Sequence, residues 1–128
     1  LVFGADAWDD PKIPQEAGSA AEGAKYSISA NRPLPQGFVD AMQKRAGGKE
    51  VSTYSPRVYD IAKALAGIMA RVGTDGAAIK AELYKIKDYQ GIADVYTLDA
   101  NGDVVGIPYV LKQYKKGGTI ETLKDLAE

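Results

Sequence analysis

Leu98-Asp99-Ala100-Asn101-Gly102-Asp103 is the most informative stretch of the chain, because an Asn-Gly corner between apolar segments predicts a β-hairpin. We expect its strands over residues Val95 to Leu98 and Val104 to Tyr114. The hairpin lies near the end of the chain, after a run of helical patterns. An α/β chain that finishes in an antiparallel hairpin is uncommon, so this position narrows the choice of fold.

Three helices are predicted before the hairpin. The first is led by Phe38 and ended by Gly47-Gly48. The second and longest runs from about Ser52 to Val72, with Pro56 in its first turn, and Thr74-Asp75 caps the third. Because no strand separates these helices, we expect them to pack on something that this chain does not contain.

The first thirty residues combine strand and helix patterns. Leu1 to Phe3 predict a buried parallel strand that ends at Gly4 and enters a functional loop. A short helix is expected from about Ile13 to Ala20, after the helix-starting residues Asp9-Asp10-Pro11. Ala24 to Ser29 then predicts a short strand. These elements indicate a mixed α/β architecture.

The composition excludes several classes of function. The chain has 128 residues, enough for one compact domain, and its 16 basic and 17 acidic side chains nearly cancel. No basic stripe is present to neutralise phosphates, so we expect no nucleic-acid partner. The absence of Cys and His removes thiolate and imidazole catalysis and the usual transition-metal sites. We therefore expect a binding protein rather than an enzyme, with no cofactor and no metal.

Five blocks of sequence carry a family resemblance, in the right order and at nearly gapless spacing. They are Phe3-Gly4-Ala5-Asp6, Ala17 to Gly23, the Phe38-led helix ending in Gly47-Gly48-Lys49, the Tyr59-Asp60 pair, and Tyr89 to Gly91 followed by Asp99, Asn101-Gly102-Asp103 and Pro108-Tyr109-Val110. Together they resemble the last third of the type I periplasmic solute-binding proteins, the branched-chain amino-acid group. The resemblance spans essentially the whole chain.

The resemblance implies an α/β fold, a portion of the two-lobed type I periplasmic-binding-protein architecture that ends in an antiparallel hairpin. It assigns residues 1–32 to the C-terminal lobe, 33–88 to a helical segment of the N-terminal lobe, and 89–128 to the hairpin and tail of the C-terminal lobe. Since the chain begins at Leu1 with neither an initiator Met nor a signal pattern, we expect a fragment.

The function that the resemblance implies is solute capture for an ABC importer, in the periplasm or outside the cell. The expected partners are a small solute, either an amino acid or a similar aromatic or aliphatic acid, and an ABC permease. Helices that cover an absent sheet would leave apolar faces exposed. We therefore also expect the isolated chain to form a homodimer or to exchange segments.

Asp6 is the first candidate ligand-binding residue. It follows a predicted strand and precedes a helix, and open α/β sheets bind ligands at the carboxyl ends of their strands. The resemblance implies that its carboxylate pairs with the ammonium group of the solute. A simpler interpretation is that Asp6 caps the turn that follows it.

Tyr54 and Trp8 are the other two candidates. The resemblance implies that Tyr54 covers the side chain of the solute, whereas helical periodicity alone makes it an apolar residue at a helix start. Trp8 is the only Trp and follows Asp6 by two residues, so it is suited to wall the pocket. Alternatively, Trp8 packs against the next helix.

Two other functions stay open. One is a ligand-sensing regulatory or receptor domain of the same fold, which a signal peptide upstream would distinguish from an importer component. The other is a carboxylate-dependent enzyme on an unrelated α/β fold, which would need two acids converging in one pocket.

Overall fold

The computed structural model describes residues 2–30, 32–48 and 51–125, so predictions that refer to Leu1, Asn31, Lys49 or residues 126–128 lie outside it. Its helices and strands in chain order are β1 (Phe3–Gly4), α1 (Lys12–Ala17), β2 (Lys25–Ser29), α2 (Gln36–Arg45), α3 (Ser55–Val72), α4 (Gly76–Leu83), β3 (Tyr89–Gln90), β4 (Val95–Leu98), β5 (Val104–Val105), β6 (Tyr109–Tyr114) and β7 (Ile120–Asp125). No helix in these ranges is long and apolar enough to cross a membrane.

The chain forms two compact units. Unit 1 comprises Leu1–Ala30 with Pro108–Glu128, and unit 2 comprises Asn31–Ile107. These units differ from the predicted segments 1–32, 33–88 and 89–128 chiefly in the hairpin of β4 and β5, which lies in unit 2. The assignment of either unit to a lobe stays a prediction.

Unit 1 is built on a four-stranded sheet in the order β1-β2-β6-β7. The first two strands are parallel, whereas β6 pairs antiparallel with both β2 and β7. In β2 the buried side chains Tyr26 and Ile28 alternate with half-buried ones, because successive side chains of a strand point to opposite faces. One face of this sheet therefore carries the core of the unit.

Aromatic packing dominates that core. The buried cluster consists of Ala21, Ala24, Tyr26, Ile28 and Tyr114, and Trp8, Ile13 and Val110 pack against it. The ring centroids of Tyr26 and Tyr114 lie 5.2 Å apart in a tilted arrangement, which is within the range of favourable aromatic contacts. Trp8 thus ties the 3₁₀ turn Asp6–Trp8, which follows β1, to the core.

Unit 2 combines α2, α3 and α4 with the three-stranded antiparallel sheet β3-β4-β5. The N-terminal cap predicted for α4 is confirmed, because the Asp75 carboxylate accepts the Ala78 N–H at 2.8 Å. Pro56 lies in the first turn of α3, as expected. On α3, Val58 and Ile61 remain 62% and 56% exposed within this chain. The predicted apolar face of α3 is therefore only partly covered.

Two predicted element boundaries are wrong. The single strand predicted from Val104 to Tyr114 is two strands in different units, because Gly106 adopts φ +82° and Pro108 lacks an N–H. The helix predicted to reach Ala20 ends at Ala17, since Gly18 has φ +55° and a 3₁₀ turn follows.

The strand predicted at the start of the chain is correctly parallel to its neighbour, but it is not buried. Val2 and Phe3 are 56% and 59% exposed. The reason is that β1 has only two residues and lies at the edge of the sheet, next to β2 alone.

Candidate functional site

Asp6 lies where the sequence predicts it, directly after the carboxyl end of β1. It is the first residue of the 3₁₀ turn Asp6–Trp8, and its side chain is exposed. Its Oδ1 accepts the N–H of Ala7 at 2.9 Å, and its backbone oxygen accepts the N–H of Asp9. The carboxylate therefore takes part in the turn and also faces solvent, which leaves both interpretations of Asp6 open.

Trp8 is half-buried and packs within unit 1. Its ring stacks on Tyr114 with centroids 6.4 Å apart and an interplanar angle of 18°. Its backbone oxygen accepts a hydrogen bond from the Tyr114 hydroxyl. A Cβ at Gly4 would lie 2.6 Å from Trp8 Cε2, so glycine is required where the indole covers the end of β1. The indole of Trp8 therefore packs on Tyr114 of β6 and over Gly4 of β1.

Asp9, which directly follows the 3₁₀ turn Asp6–Trp8, forms a largely buried ion pair. Lys112 Nζ lies 2.7 Å from Asp9 Oδ1, and both side chains are largely buried. The same oxygen accepts the Tyr26 hydroxyl at 2.7 Å. Burial, followed by the adjacent Asp9 carboxylate, raises the pKa of Tyr26 far above its usual range, so the phenol stays protonated and donates. This cluster fixes the backbone that carries Asp6 and Trp8.

Tyr54 lies in unit 2, at the N-cap position of α3, and its side chain is exposed. The adjacent residues Ser52 and Thr53 line a cavity of about 130 Å³ within the same unit. The structure thus brings Asp6 and Trp8 together in unit 1 and describes Tyr54 in unit 2.

Asp60 is a buried side chain of unit 2 that accepts three hydrogen bonds. It is 3% exposed, and its Oδ1 accepts the Ile92 N–H at 2.7 Å. Its Oδ2 accepts the Ala93 N–H at 2.8 Å and the Tyr96 hydroxyl at 3.0 Å. The sequence predicts a structural role for the Tyr59-Asp60 pair, but its partners lie more than thirty residues away and carry no sequence signal. Asp60 joins α3 to the loop between β3 and β4.

Asp94 is a second buried carboxylate, 3% exposed, whose Oδ2 lies 3.5 Å from Arg57 Nη2. Burial raises the pKa of Asp94 above its ordinary value. Arg57 and Arg32 oppose this rise, and Asp60 adds to it. Desolvation therefore has a larger effect on the pKa of Asp94 than the two guanidinium groups have.

We expect Asp94 to make the stability of unit 2 depend on pH. Because folding raises its pKa, its contribution to stability is complete below the unfolded pKa and is lost as the pH rises through the folded pKa. Asp94→Asn removes this titration. The unfolding free energy of Asp94→Asn relative to wild type, measured with urea by circular dichroism, should therefore increase from about pH 4 to pH 7. A difference that stays constant across this interval would contradict the prediction.

No group of three or more Asp, Glu, Cys or His side chains suited to hold a metal ion occurs among the residues that the structure describes. The Asp99 loop is a turn, in which Asp99 Oδ1 accepts the N–H groups of Asn101 and Asp103 at 2.8 and 2.9 Å. These backbone hydrogen bonds lower the pKa of Asp99. The Asp99 carboxylate therefore stabilises the turn of the hairpin.

No protein-family model matches the sequence, and no curated protein sequence matches it. Solved structures do match. A leucine-binding protein of Thermotoga maritima has 23% identity and a TM-score of 0.73, with 97% of this chain and 36% of that chain covered. An ABC transporter substrate-binding protein of Desulfitobacterium hafniense has 27% identity and a TM-score of 0.67, with 94% and 35% covered.

A third match is a branched-chain amino-acid ABC transporter protein of Thermus thermophilus with bound valine, at 16% identity and a TM-score of 0.62. The match covers 96% of this chain and 38% of that chain. The chain therefore spans little more than a third of the length of the proteins that it resembles. The matches confirm the predicted fold and the predicted resemblance to branched-chain amino-acid substrate-binding proteins.

Proposed function

We propose that this chain, which has the fold of part of a type I periplasmic solute-binding protein, acts in the capture of an amino acid or a similar small solute for an ABC importer. The observation that carries the proposal is the match of nearly the whole chain to a leucine-binding protein. The role is binding rather than catalysis, and the expected partners are the solute and an ABC permease. We place the protein outside the cytoplasmic membrane, in the periplasm or beyond it.

Asp6 is the proposed partner of the solute's ammonium group. Its carboxylate is exposed on a turn that Trp8 anchors to the core, so binding does not require the turn to fold anew. A desolvated ammonium needs a charged acceptor, because burying it without one is costly. The position after the carboxyl end of β1 is where open α/β sheets bind ligands.

Trp8 and Tyr54 are the proposed apolar contacts of the solute. Trp8 already stacks on Tyr114, which holds the indole in one orientation and leaves it half-buried rather than enclosed. Tyr54 is exposed at the start of α3 and therefore has aromatic surface to offer. Ligand contacts from two lobes would shift the population toward a form with the hinge closed. The permease would recognise this closed form.

Self-association of the chain stays a prediction. Val58 and Ile61 are the apolar side chains of α3 with the largest exposed fractions, so they form the surface that a homodimer or an exchanged segment would bury.

Calorimetric titration of L-leucine and L-valine into the protein expressed from its complete reading frame tests this function. We expect binding, and we expect Asp6→Asn to weaken it by about 30-fold, because the ammonium would lose its charged partner. Asp10→Asn is the matched control: Asp10 is exposed in the same segment, and its Oδ1 accepts the Lys12 N–H, which an amide oxygen also does.

Equal losses of affinity in Asp6→Asn and Asp10→Asn would show that Asp6 does not bind the ligand. Failure of wild type to bind either leucine or valine would count against the proposed capture of an amino acid.

A further inference from the structure

A cavity in unit 2 is not used by any of the roles proposed above. It has a volume of about 130 Å³ and lies at the N-terminal end of α3. Its lining includes the polar residues Arg32, Ser52, Thr53 and Arg57 and the apolar residues Leu34 and Pro56. A cavity of about 150 Å³ accommodates benzene, so this volume suits a molecule of four to six heavy atoms.

The charges at the cavity favour an anion. Arg32 and Arg57 supply two guanidinium groups, and a guanidinium is a cation with several N–H donors. The partial positive charge at the N-terminus of the 18-residue helix α3 has the same sign. Among the residues that the structure describes, none that lines the cavity is acidic. The carboxylate of Asp94 lies 3.5 Å from Arg57 and is itself buried.

The geometry of Arg57 suits a planar acceptor. Its side chain is largely buried, and its Nη1 donates to the backbone oxygen of Thr53 at 3.3 Å. This contact and the pair with Asp94 hold the guanidinium in one orientation. A guanidinium carries five N–H groups in a fork, which allows it to contact more than one acceptor at once and to bind a carboxylate through two parallel hydrogen bonds.

The rest of the lining discriminates among anions. The hydroxyl groups of Ser52 and Thr53 offer donors beside the two arginines. Leu34 and Pro56 provide an apolar wall, which favours a ligand with a short hydrocarbon part over a fully polar ion such as phosphate.

We propose that this cavity binds the carboxylate of a small aliphatic acid between Arg32 and Arg57, with the hydrocarbon part against Leu34 and Pro56. The proposal does not rest on the proposed function, because such an acid lacks the ammonium group that Asp6 would bind.

Titration of sodium propionate into the isotope-labelled 128-residue chain, followed by amide NMR at constant ionic strength, tests it. We expect saturable shifts concentrated at Ser52, Thr53 and Ala93, which line the cavity. Arg32→Gln should raise the Kd for propionate about tenfold, because it removes a charged donor from an exposed side chain. Arg45→Gln, an exposed arginine of α2 outside the lining, should leave the Kd unchanged.

Arg57→Lys provides a second variant, which keeps the charge and loses the planar fork, and we expect it to weaken binding as well. Propionamide has the same shape without the charge and should produce no saturable shifts. Equal shifts with propionamide, with phosphate or in Arg32→Gln would overturn the proposal, as would the absence of saturable shifts in wild type. None of these outcomes bears on whether the protein binds leucine.

Discussion

Asp60→Ala is expected to lower the free energy of unfolding of unit 2 by about 3–5 kcal/mol. The carboxylate is 3% exposed and accepts three hydrogen bonds, from the Ile92 and Ala93 N–H groups and from the Tyr96 hydroxyl. Alanine would leave these three donors without their acceptor, one of them buried and two partly buried. Each such group carries a desolvation cost of about 1–3 kcal/mol, which is why the summed loss is large.

The close fit around Asp60 limits how the structure is able to relax. A Cβ at Gly91 would lie 2.6 Å from Asp60 Cγ and 2.6 Å from Tyr96 Cε2, so the backbone of Gly91 touches the carboxyl group. Burial and the neighbouring Asp60 raise the pKa of Tyr96 well above its usual range, which keeps its hydroxyl donating at any ordinary pH.

Urea unfolding followed by circular dichroism at the helical band measures this loss, since α2, α3 and α4 all lie in unit 2. Asp40→Ala is the matched control, because Asp40 is exposed on α2 and accepts an exposed hydrogen bond from the Gln36 amide. We expect a change of less than about 0.5 kcal/mol there. Similar losses in the two variants would contradict the role given to Asp60.

Asp9→Ala is expected to lower the free energy of unfolding of unit 1 by about 3–5 kcal/mol, because it leaves Lys112 buried and charged without its partner. It also removes the acceptor of the Tyr26 hydroxyl, and Tyr26 is fully buried. Trp8 is the only Trp and packs against the same core, so its fluorescence follows the unfolding of this unit.

Two further variants separate the buried charge from other effects of truncating Asp9. Adding Lys112→Met to Asp9→Ala removes the uncompensated charge, and we expect the double variant to recover part of the lost stability. Glu121→Ala breaks the exposed pair of Lys115 and Glu121 in the same unit and should cost less than about 1 kcal/mol. A double variant no more stable than Asp9→Ala would show that the charge is not the cause.

The sequence predicts those elements whose signals are local. Helices α2, α3 and α4, strand β2 and the Asn101-Gly102 turn between β4 and β5 all follow from periodicity, caps and turn residues within a few positions of one another. The strand predicted across Gly106 failed because apolar residues continue on both sides of it. Only the positive φ of Gly106 and the separate pairing partners of β5 and β6 divide the run.

The candidate site was predicted less completely, because its contacts are not local. Asp6 lies after β1 as expected, since a strand followed by a turn is visible in sequence. The stacking of Trp8 on Tyr114 joins positions 106 residues apart, and the pair of Arg57 with Asp94 joins positions 37 residues apart. No pattern in a single sequence indicates which distant side chains meet, so the Asp9 cluster and the arginine-lined cavity emerged only from the structure.

We propose that this chain forms part of a solute-binding protein in which Asp6 holds the ammonium group of the ligand. A crystal structure of the protein from its complete reading frame with L-leucine bound is the decisive test. We expect an Asp6 carboxylate oxygen within about 3 Å of the leucine nitrogen, the usual length of a charge-assisted hydrogen bond. Leucine bound elsewhere, with the Asp6 carboxylate directed to solvent, would contradict it.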